Sequence, residues 1–525
     1  MKVNVINTGG TISCTGNPLA PMSASQFAAA CTQILNPILL QQFPDLQINY
    51  VTNLVFPEST TGTLDSTNLQ PTDWCLMAQY ILDNYTTCDG WVVLHGTDSM
   101  DFTGTALPFL LSSFSAGGYP TAALSKPVII TGSQVPMFYE DTHGNLSLNF
   151  NTDAFQNFCG AVAAAQSGVP EVCIYFDANL YRGNRSVKTN ASEFNAFSSP
   201  NYPALGEYGI TFRLEQENVL PPPVSYAVSL DNPSVLSAAV AQLAYVAANI
   251  NNFPVMQFNA FPAAYQSGTT PSAVIASLIN ACVGTGIKGL ILESYGEGNF
   301  PSGNPDTPNQ GAIYQALYSA NANGVVIADC TQVLQGVVND SAYAAGAWLP
   351  AVGALNPADM TPMAALAKLM ILLTGAGYSA NGWSAAVVKR LFQLDLLGEM
   401  LDVSRLDSRV NSTLLPGQTL TALDGSATLT NDPAAGPILT NSQGNTLWQP
   451  LSAPSADQMP GQLIMQNDGN LVFYSRDNSA MWATNTGRSD GASSMLVLGG
   501  STSDNSLSLT VDDYSHGITT ATLYP

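Results

Sequence analysis

What most constrains this chain is a repeated alternation of short apolar runs with longer helix-compatible stretches. KVNVIN (2–7), WVVLH (91–95), KPVIITG (126–132) and EVCIYFD (171–177) are β-branched, apolar and bounded by glycine or polar turns, which predicts buried strands. The segments between them, such as 71–86 and 148–166, have the spacing of amphipathic helices. Alternation of this kind implies parallel strands with helical crossovers. It breaks at EQENVLPPP (215–223), where three consecutive prolines fix φ and remove backbone donors. A linker is therefore expected over 216–254, after a first α/β domain over 1–215. The alternation resumes with VMQFNAF (255–261), GLILESYG (289–296) and GVVIADCT (324–331), with helical stretches at 271–284, 308–322 and 361–374. This predicts a second, smaller α/β domain over 255–405. Residues 413–525 contain nine Asp, no Glu, two Arg and no Lys, and their short apolar runs lie among Gly, Asn, Ser and Thr. Without the usual helix surface formers, the last part reads as an all-β domain over 416–525.

Charge narrows the range of partners. Thirty-seven acids face 14 bases in 525 residues, a formal charge of −23. That field repels phosphate and weighs against nucleic acid and anionic membrane surfaces. None of the eight cysteines forms a CxxC pair and the three histidines are isolated, so neither a disulfide framework nor a metal site is expected. No apolar run approaches the length of a membrane span, and MKVNVINTGG carries no signal-peptide h-region. The expectation is a cytoplasmic protein with no membrane insertion.

Four polar segments carry the candidate chemistry. Thr8-Gly9-Gly10-Thr11-Ile12 follows the first strand, and His95-Gly96-Thr97-Asp98-Ser99-Met100 follows the second apolar run. In an open α/β sheet, ligands lie beyond the carboxyl ends of the strands, where both segments fall. The plainer readings are a tight glycine turn and a polar loop with Asp98 as a helix cap. Lys188, within RGNRSVKTN, reads either as a solvated cation or as a site lysine. Asp65-Ser66-Thr67-Asn68 reads as a helix-starting cap or as a substrate contact.

Taken together, TGGTI, VLHGTDSM, KPVIITGSQVPM, ANLYRGNRSVKTNASEFNAFSSPNYP and LESYGEGNFP resemble the bacterial-type L-asparaginase family, close to its type I branch, over residues 1–405. The resemblance implies a larger and a smaller α/β domain and a cofactor-free amidohydrolase acting on L-asparagine. It assigns Thr11 as the nucleophile and Thr97, Asp98 and Lys188 as the proton relay that activates a hydroxyl. Asp65, Ser66 and Thr67 would grip the substrate's α-amino and α-carboxylate groups, with Thr97 and Asp98 sharing that task. Asn299 matches a position that the family lends to a neighbouring subunit, which implies a homodimer or homotetramer. Two departures stand out. The loop after TGGT reads SCTGNPLAPM (13–22) and lacks the family's lid tyrosine, with Leu19 nearest to it. Glu293 stands where type I enzymes can place a basic residue for allosteric asparagine binding.

The last domain carries Gln466-Asn467-Asp468-Gly469-Asn470-Leu471-Val472-Phe473-Tyr474. If this is a single strand, Gln466, Asp468, Asn470, Val472 and Tyr474 share one face, and their polar groups suit a sugar's hydroxyls. The plainer reading is an exposed edge strand. The stretch resembles the QxDxNxVxY mannose motif of the bulb-type lectin family, and NSQGNTLW (441–448) and DNSAMW (477–482) resemble that family's approach to its core tryptophans. The implied fold is β-prism-like and the implied ligands are mannose-type glycans, held by Gln466, Asp468, Asn470 and Tyr474. The repeat at 506–514 keeps only a tyrosine. A lectin domain and a low-charge surface point outward, by non-classical export or cell lysis. Two readings of the whole chain follow: an asparaginase carrying a lectin domain, or a weakly active or inactive asparaginase scaffold that supplies oligomerisation to a carbohydrate-binding protein.

Overall fold

The KVNVIN run forms β1 (Lys2–Asn7), which is buried along nearly all its length. It lies in an eight-stranded sheet with β2 (Gln47–Tyr50), β3 (Gly90–Leu94), β4 (Val128–Thr131), β5 (Val172–Phe176), β6 (Asn179–Arg182), β7 (Gly206–Tyr208) and β8 (Phe212–Leu214), in the order β8-β7-β6-β5-β4-β3-β1-β2. The computed structural model describes residues 1–339 and 342–525. Pairing is parallel from β2 through β5 and antiparallel from β5 to β8. Every residue of β3, β4 and β5 is buried, as continuous apolar runs require when helices cover both faces. Helices α1 (Pro71–Asp83), α2 (Met100–Leu110) and α3 (Ala154–Gln166) are among those packed around this sheet. Because β1 and β3 are neighbours, the segments that leave their carboxyl ends, 8–11 and 95–99, emerge side by side.

The proline-rich break is shorter than the 216–254 linker read from the sequence. Helix α4 (Pro233–Asn249) occupies most of its second half, started by the Asn232 side chain accepting from Ser234 N, with Pro233 in the first turn. With its 3-10 extension to Asn252 it is long and apolar enough to cross a membrane by length and composition, at a mean hydropathy of 1.3. This corrects the expectation that no segment reaches that length. The run is built of Ala, Ser, Val and Asn rather than of large aliphatics, so it does not stand out by eye. Its Ala239, Leu243 and Val246 are buried, and it lies against α1.

A second sheet follows, β9 (Val255–Asn259), β10 (Gly289–Ser294), β11 (Val326–Thr331) and β12 (Ala354–Leu355), all parallel in that order. Helices α5 (Val274–Gly284), α6 (Ala312–Ala322) and α7 (Pro362–Gly375) accompany it. The first structural unit runs Met1–Met400 and includes both sheets.

Leu401–Pro525 is a separate unit of three four-stranded antiparallel sheets. One joins β15 (Thr419–Thr421), β16 (Ala427–Asp432), β17 (Gly436–Asn441) and β18 (Thr446–Trp448). Another joins β14 (Thr413–Leu414), β19 (Gln462–Met465), β20 (Leu471–Tyr474) and β21 (Ala480–Ala483). The third joins β13 (Arg405–Asp407), β22 (Ser494–Gly499), β23 (Ser508–Asp513) and β24 (Ile518–Tyr524). Their apolar faces share one core, including Leu429, Leu439, Leu463, Phe473, Leu496 and Leu509. Trp448 and Trp482 pack on that core edge-to-face, with ring centroids 5.6 Å apart. Because β13 pairs with β22, the β unit takes in residues 401–415, which the boundaries at 405 and 416 leave outside it.

Candidate active site

Two glycines fix the geometry of the first turn. A Cβ on Gly9 would lie 2.0 Å from the Leu64 carbonyl oxygen, and one on Gly10 would lie 2.3 Å from Gly96 Cα. Both have positive φ, at 117° and 75°. Only glycine allows this approach, which presses the 8–11 turn against the 95–97 loop on one side and Leu64 on the other. Backbone bonds lock it there: Thr8 N donates to Leu94 O at 2.9 Å, and Gly10 N to Leu64 O at 3.0 Å. Thr11 opens a 3-10 turn (Thr11–Ser13) at this junction and is partly exposed. Among the described residues, none hydrogen-bonds its hydroxyl, which stays available to a ligand.

At the 95–99 loop, the Lys188 ammonium donates to Thr97 Oγ1 at 2.8 Å and to Asp98 Oδ1 at 2.6 Å. Thr97 is buried, and the Lys188 side chain is 20% exposed. The solvated-cation reading of Lys188 and the helix-cap reading of Asp98 therefore both give way to an ion pair that holds the Thr97 hydroxyl. Ser66 is buried directly beneath the loop, where its Oγ accepts from Asp98 N at 3.2 Å and its carbonyl from Ser99 Oγ at 2.7 Å. Asp65 does act as a cap: its carboxylate accepts from Thr67 N and Thr67 Oγ1 at 3.1 and 3.0 Å. The structure thus brings Thr11, Thr97, Asp98, Lys188 and the 65–67 strip together at the ends of β1 and β3.

Two buried groups under the loop titrate in opposite senses. His95 bonds Gly96 O at 2.6 Å and Thr103 Oγ1 at 2.9 Å, and burial lowers its pKa to about 4. Asp101 accepts from Phe102 N at 3.1 Å and Lys188 N at 3.4 Å, and burial raises its carboxyl to about 6. The native state therefore binds fewer protons at His95 between pH 6.5 and 4, and loses stability as pH falls through that window. It binds more at Asp101 between pH 3.8 and 6, and gains stability on the same descent. Each effect is worth about 3 kcal/mol, so over pH 6 to 4 they nearly cancel. Asp101→Asn should leave the histidine unopposed. Relative to wild type, the variant should lose about 3 kcal/mol between pH 7 and 4 in urea unfolding followed by helical circular dichroism. An unchanged difference across that range would show that Asp101 is ionised normally.

The loop after the 8–11 turn is a short hairpin, Cys14–Thr15 paired with Ala20–Pro21. Leu19 at its tip is 55% exposed.

Residues 2–220 match the family Asparaginase, N-terminal, and 272–385 match Glutaminase/Asparaginase C-terminal domain. L-asparaginase 1 of Escherichia coli (strain K12) is 31% identical over 71% of this chain and 92% of its own. The chain belongs to the asparaginase family. The crystal structure of L-asparaginase I from Vibrio cholerae superposes on it with a TM-score of 0.54 at 30% identity, covering 76% of this chain and 99% of that one. The family's other relatives include the human 60 kDa lysophospholipase, 34% identical over 68% of this chain and 51% of its own length.

Two residues of the asparaginase unit stand apart from this cluster. Asn299 lies in the turn that follows β10, where its amide and carbonyl bond Tyr295. Glu293 is in β10 itself, and burial raises its carboxyl pKa.

In the β unit, the QxDxNxVxY stretch is not one strand. Gln466 to Asn470 form the turn between β19 and β20, closed by Gln466 N donating to Asn470 O at 2.9 Å. The five residues therefore do not share a strand face, and Val472 is buried. Asn467-Asp468-Gly469 is a hairpin signal that the alternation obscures. The turn nonetheless gathers the polar groups. Gln466 Nε2 donates to the Tyr474 hydroxyl at 2.8 Å, and Asp468 accepts from Asn470 N at 2.9 Å. The sequence reading misses Thr484 and Thr486: Thr484 Oγ1 and Thr486 N both donate to Asn470 Oδ1, at 3.1 and 3.3 Å. In the repeat at 506–514, the Tyr514 hydroxyl donates to Asp407 at 3.1 Å instead.

Proposed function

We propose that the first unit hydrolyses L-asparagine to L-aspartate and ammonia through a threonine acyl-enzyme. The observation that carries this reading is the Lys188 ammonium bonded to both Thr97 and Asp98, in the loop whose Gly96 backbone meets the Gly10 turn that leads into Thr11. In this mechanism Thr11 Oγ attacks the side-chain amide carbon, and its proton passes through the Thr97 hydroxyl to Lys188, which accepts it as an amine after handing its own proton to Asp98. The backbone N–H groups of Thr11 and Thr97, which have no partner among the described residues, hold the oxyanion. Ammonia leaves with a relay proton, and water then hydrolyses the ester. Asp65, Ser66, Thr67 and Asp98 bind the substrate's charged ends. Asn299 completes a neighbouring subunit's site in a homodimer or homotetramer. The exposed Leu19 in place of a lid aromatic favours a second reading, an enzyme slowed by poor closure. Ammonia release from L-asparagine by the purified full chain tests both: absence of release overturns the first and leaves the scaffold reading.

For the second unit we infer binding of mannose-type glycans at Gln466, Asp468, Asn470 and Tyr474. Three four-stranded sheets around one core, with the motif's polar groups gathered at one turn, support this reading. A few hydrogen bonds worth roughly 1 kcal/mol each give a monosaccharide Kd in the millimolar range as an order of magnitude. Retention on mannan therefore depends on several subunits binding at once. Asp468→Ala should abolish retention and leave ammonia release unchanged. A variant that still binds places the sugar elsewhere.

A further inference from the structure

The relay lysine sits three residues beyond Arg185, in a segment whose fixation comes from the far end of the unit. Arg182, Asn184 and Arg185 belong to the turn that leads into Lys188, and all three are buried. Their polar groups converge on the turn at 395–399. Arg185 Nε donates to Gly398 O at 2.7 Å, Arg182 Nη1 donates to the same carbonyl at 3.4 Å, and Asn184 Nδ2 donates to Leu397 O at 2.9 Å. Each arginine also has a buried carboxylate partner, Glu171 at 2.7 Å for Arg182 and Asp359 at 2.7 Å for Arg185.

The 395–399 turn is itself fixed from below. Glu399 accepts from Leu396 N at 3.1 Å and Leu397 N at 2.7 Å, which closes the turn around its carboxylate. The Lys368 ammonium on α7 bonds that carboxylate at 2.5 Å and Leu394 O at 2.6 Å, with both side chains fully buried. On the other side, the turn of residues 183–185 rests on α2. A Cβ on Gly183 would lie 2.5 Å from Gly104 O, so the backbones touch. The turn before Lys188 is thus held between α2, which follows the 95–99 loop, and a carbonyl near the end of the unit. This second anchor lies beyond residue 385, where the match to the C-terminal family model ends.

We propose that the 395–399 turn is a positioning element for Lys188, acting through the Gly398 carbonyl on Arg182 and Arg185. The proposal rests on the reading of Lys188 as a relay residue in amide hydrolysis. The Nζ must stay within hydrogen-bond reach of Thr97 and Asp98 together. A shift of about 1 Å in such a group costs on the order of a hundredfold in rate.

Gly398→Ala in the full chain tests this. Gly398 has φ 75°, and a Cβ there would lie 2.4 Å from Arg182 Nη1, so the substitution displaces the guanidinium from its carbonyl. Two readouts are taken. The first is kcat and KM for L-asparagine. The second is the rate of Lys188 acetylation by acetic anhydride, followed by peptide mass spectrometry with exposed Lys2 and Lys288 as internal references. The expected result is a kcat lower by tenfold or more with KM within about twofold. Lys188 labelling should rise severalfold while Lys2 and Lys288 stay constant. Unchanged kcat and unchanged Lys188 labelling in a folded variant overturn the proposal. If wild type releases no ammonia, the hydrolase reading fails, and the labelling ratio alone decides whether the turn positions the lysine. Should Gly398→Ala not fold, Asn184→Ala removes one bond to Leu397 O, and the same two readouts decide.

Discussion

Replacing Thr11 with alanine is expected to remove amide hydrolysis, lowering kcat by at least about 10³-fold, because the proposed mechanism divides the reaction through an ester on Thr11 Oγ. The fold should survive. Thr11 is partly exposed and its hydroxyl has no partner to lose, while the close approach that shapes the turn belongs to Gly9 and Gly10. Thermal unfolding should therefore match wild type while ammonia release disappears. A variant that keeps more than about a tenth of the rate would show that another hydroxyl attacks, with Thr97 a candidate. Thr11→Ser separates the hydroxyl from the methyl group: if attack by Oγ is the step that matters, serine retains measurable turnover.

The second large effect is on stability. Lys368→Met should destabilise the first unit by about 3–5 kcal/mol, because it leaves the Glu399 carboxylate fully buried with two backbone donors and no counter-ion. Changing both partners, Lys368→Met with Glu399→Gln, should recover much of that loss, since a neutral amide carries a far smaller desolvation cost. Urea unfolding followed by helical circular dichroism isolates the relevant transition, because the described residues of the β unit contain no helix. If the single variant loses less than about 1 kcal/mol, the pair is already neutral in the native state.

Much of the candidate site was legible in the sequence because its parts are local. β-branched runs predict β1, β3, β4 and β5, and the turn and loop that follow β1 and β3 carry Thr11, Thr97 and Asp98. Lys188 needs the resemblance, since nothing local ties it to residues about ninety positions earlier. The anchoring turn at 395–399 is invisible for the same reason: its bonds to Asn184, Arg185 and Arg182 span 213 to 216 residues. Elsewhere the signals were present and outweighed. Asn232-Pro233 marks a helix start inside the presumed linker, and Asp468-Gly469 marks a hairpin inside the presumed strand. In both places one pattern, proline content or strict alternation, masked a short-range cue with a definite backbone geometry behind it.

The anchor also bears on how a chain of this kind can be assembled from, or taken apart into, interchangeable modules. The match to the C-terminal family model stops at residue 385, which makes that position look like the natural seam for exchanging a carboxy-terminal module. A recombinant joined there would keep both α/β sheets and every residue of the candidate site. It would lose the Gly398 carbonyl that two buried arginines share and the carboxylate that neutralises Lys368. The seam that module exchange must respect therefore falls after Met400, where the first unit ends and the chain enters the β unit. The fifteen residues between the end of that model's match and Met400 belong with the first unit.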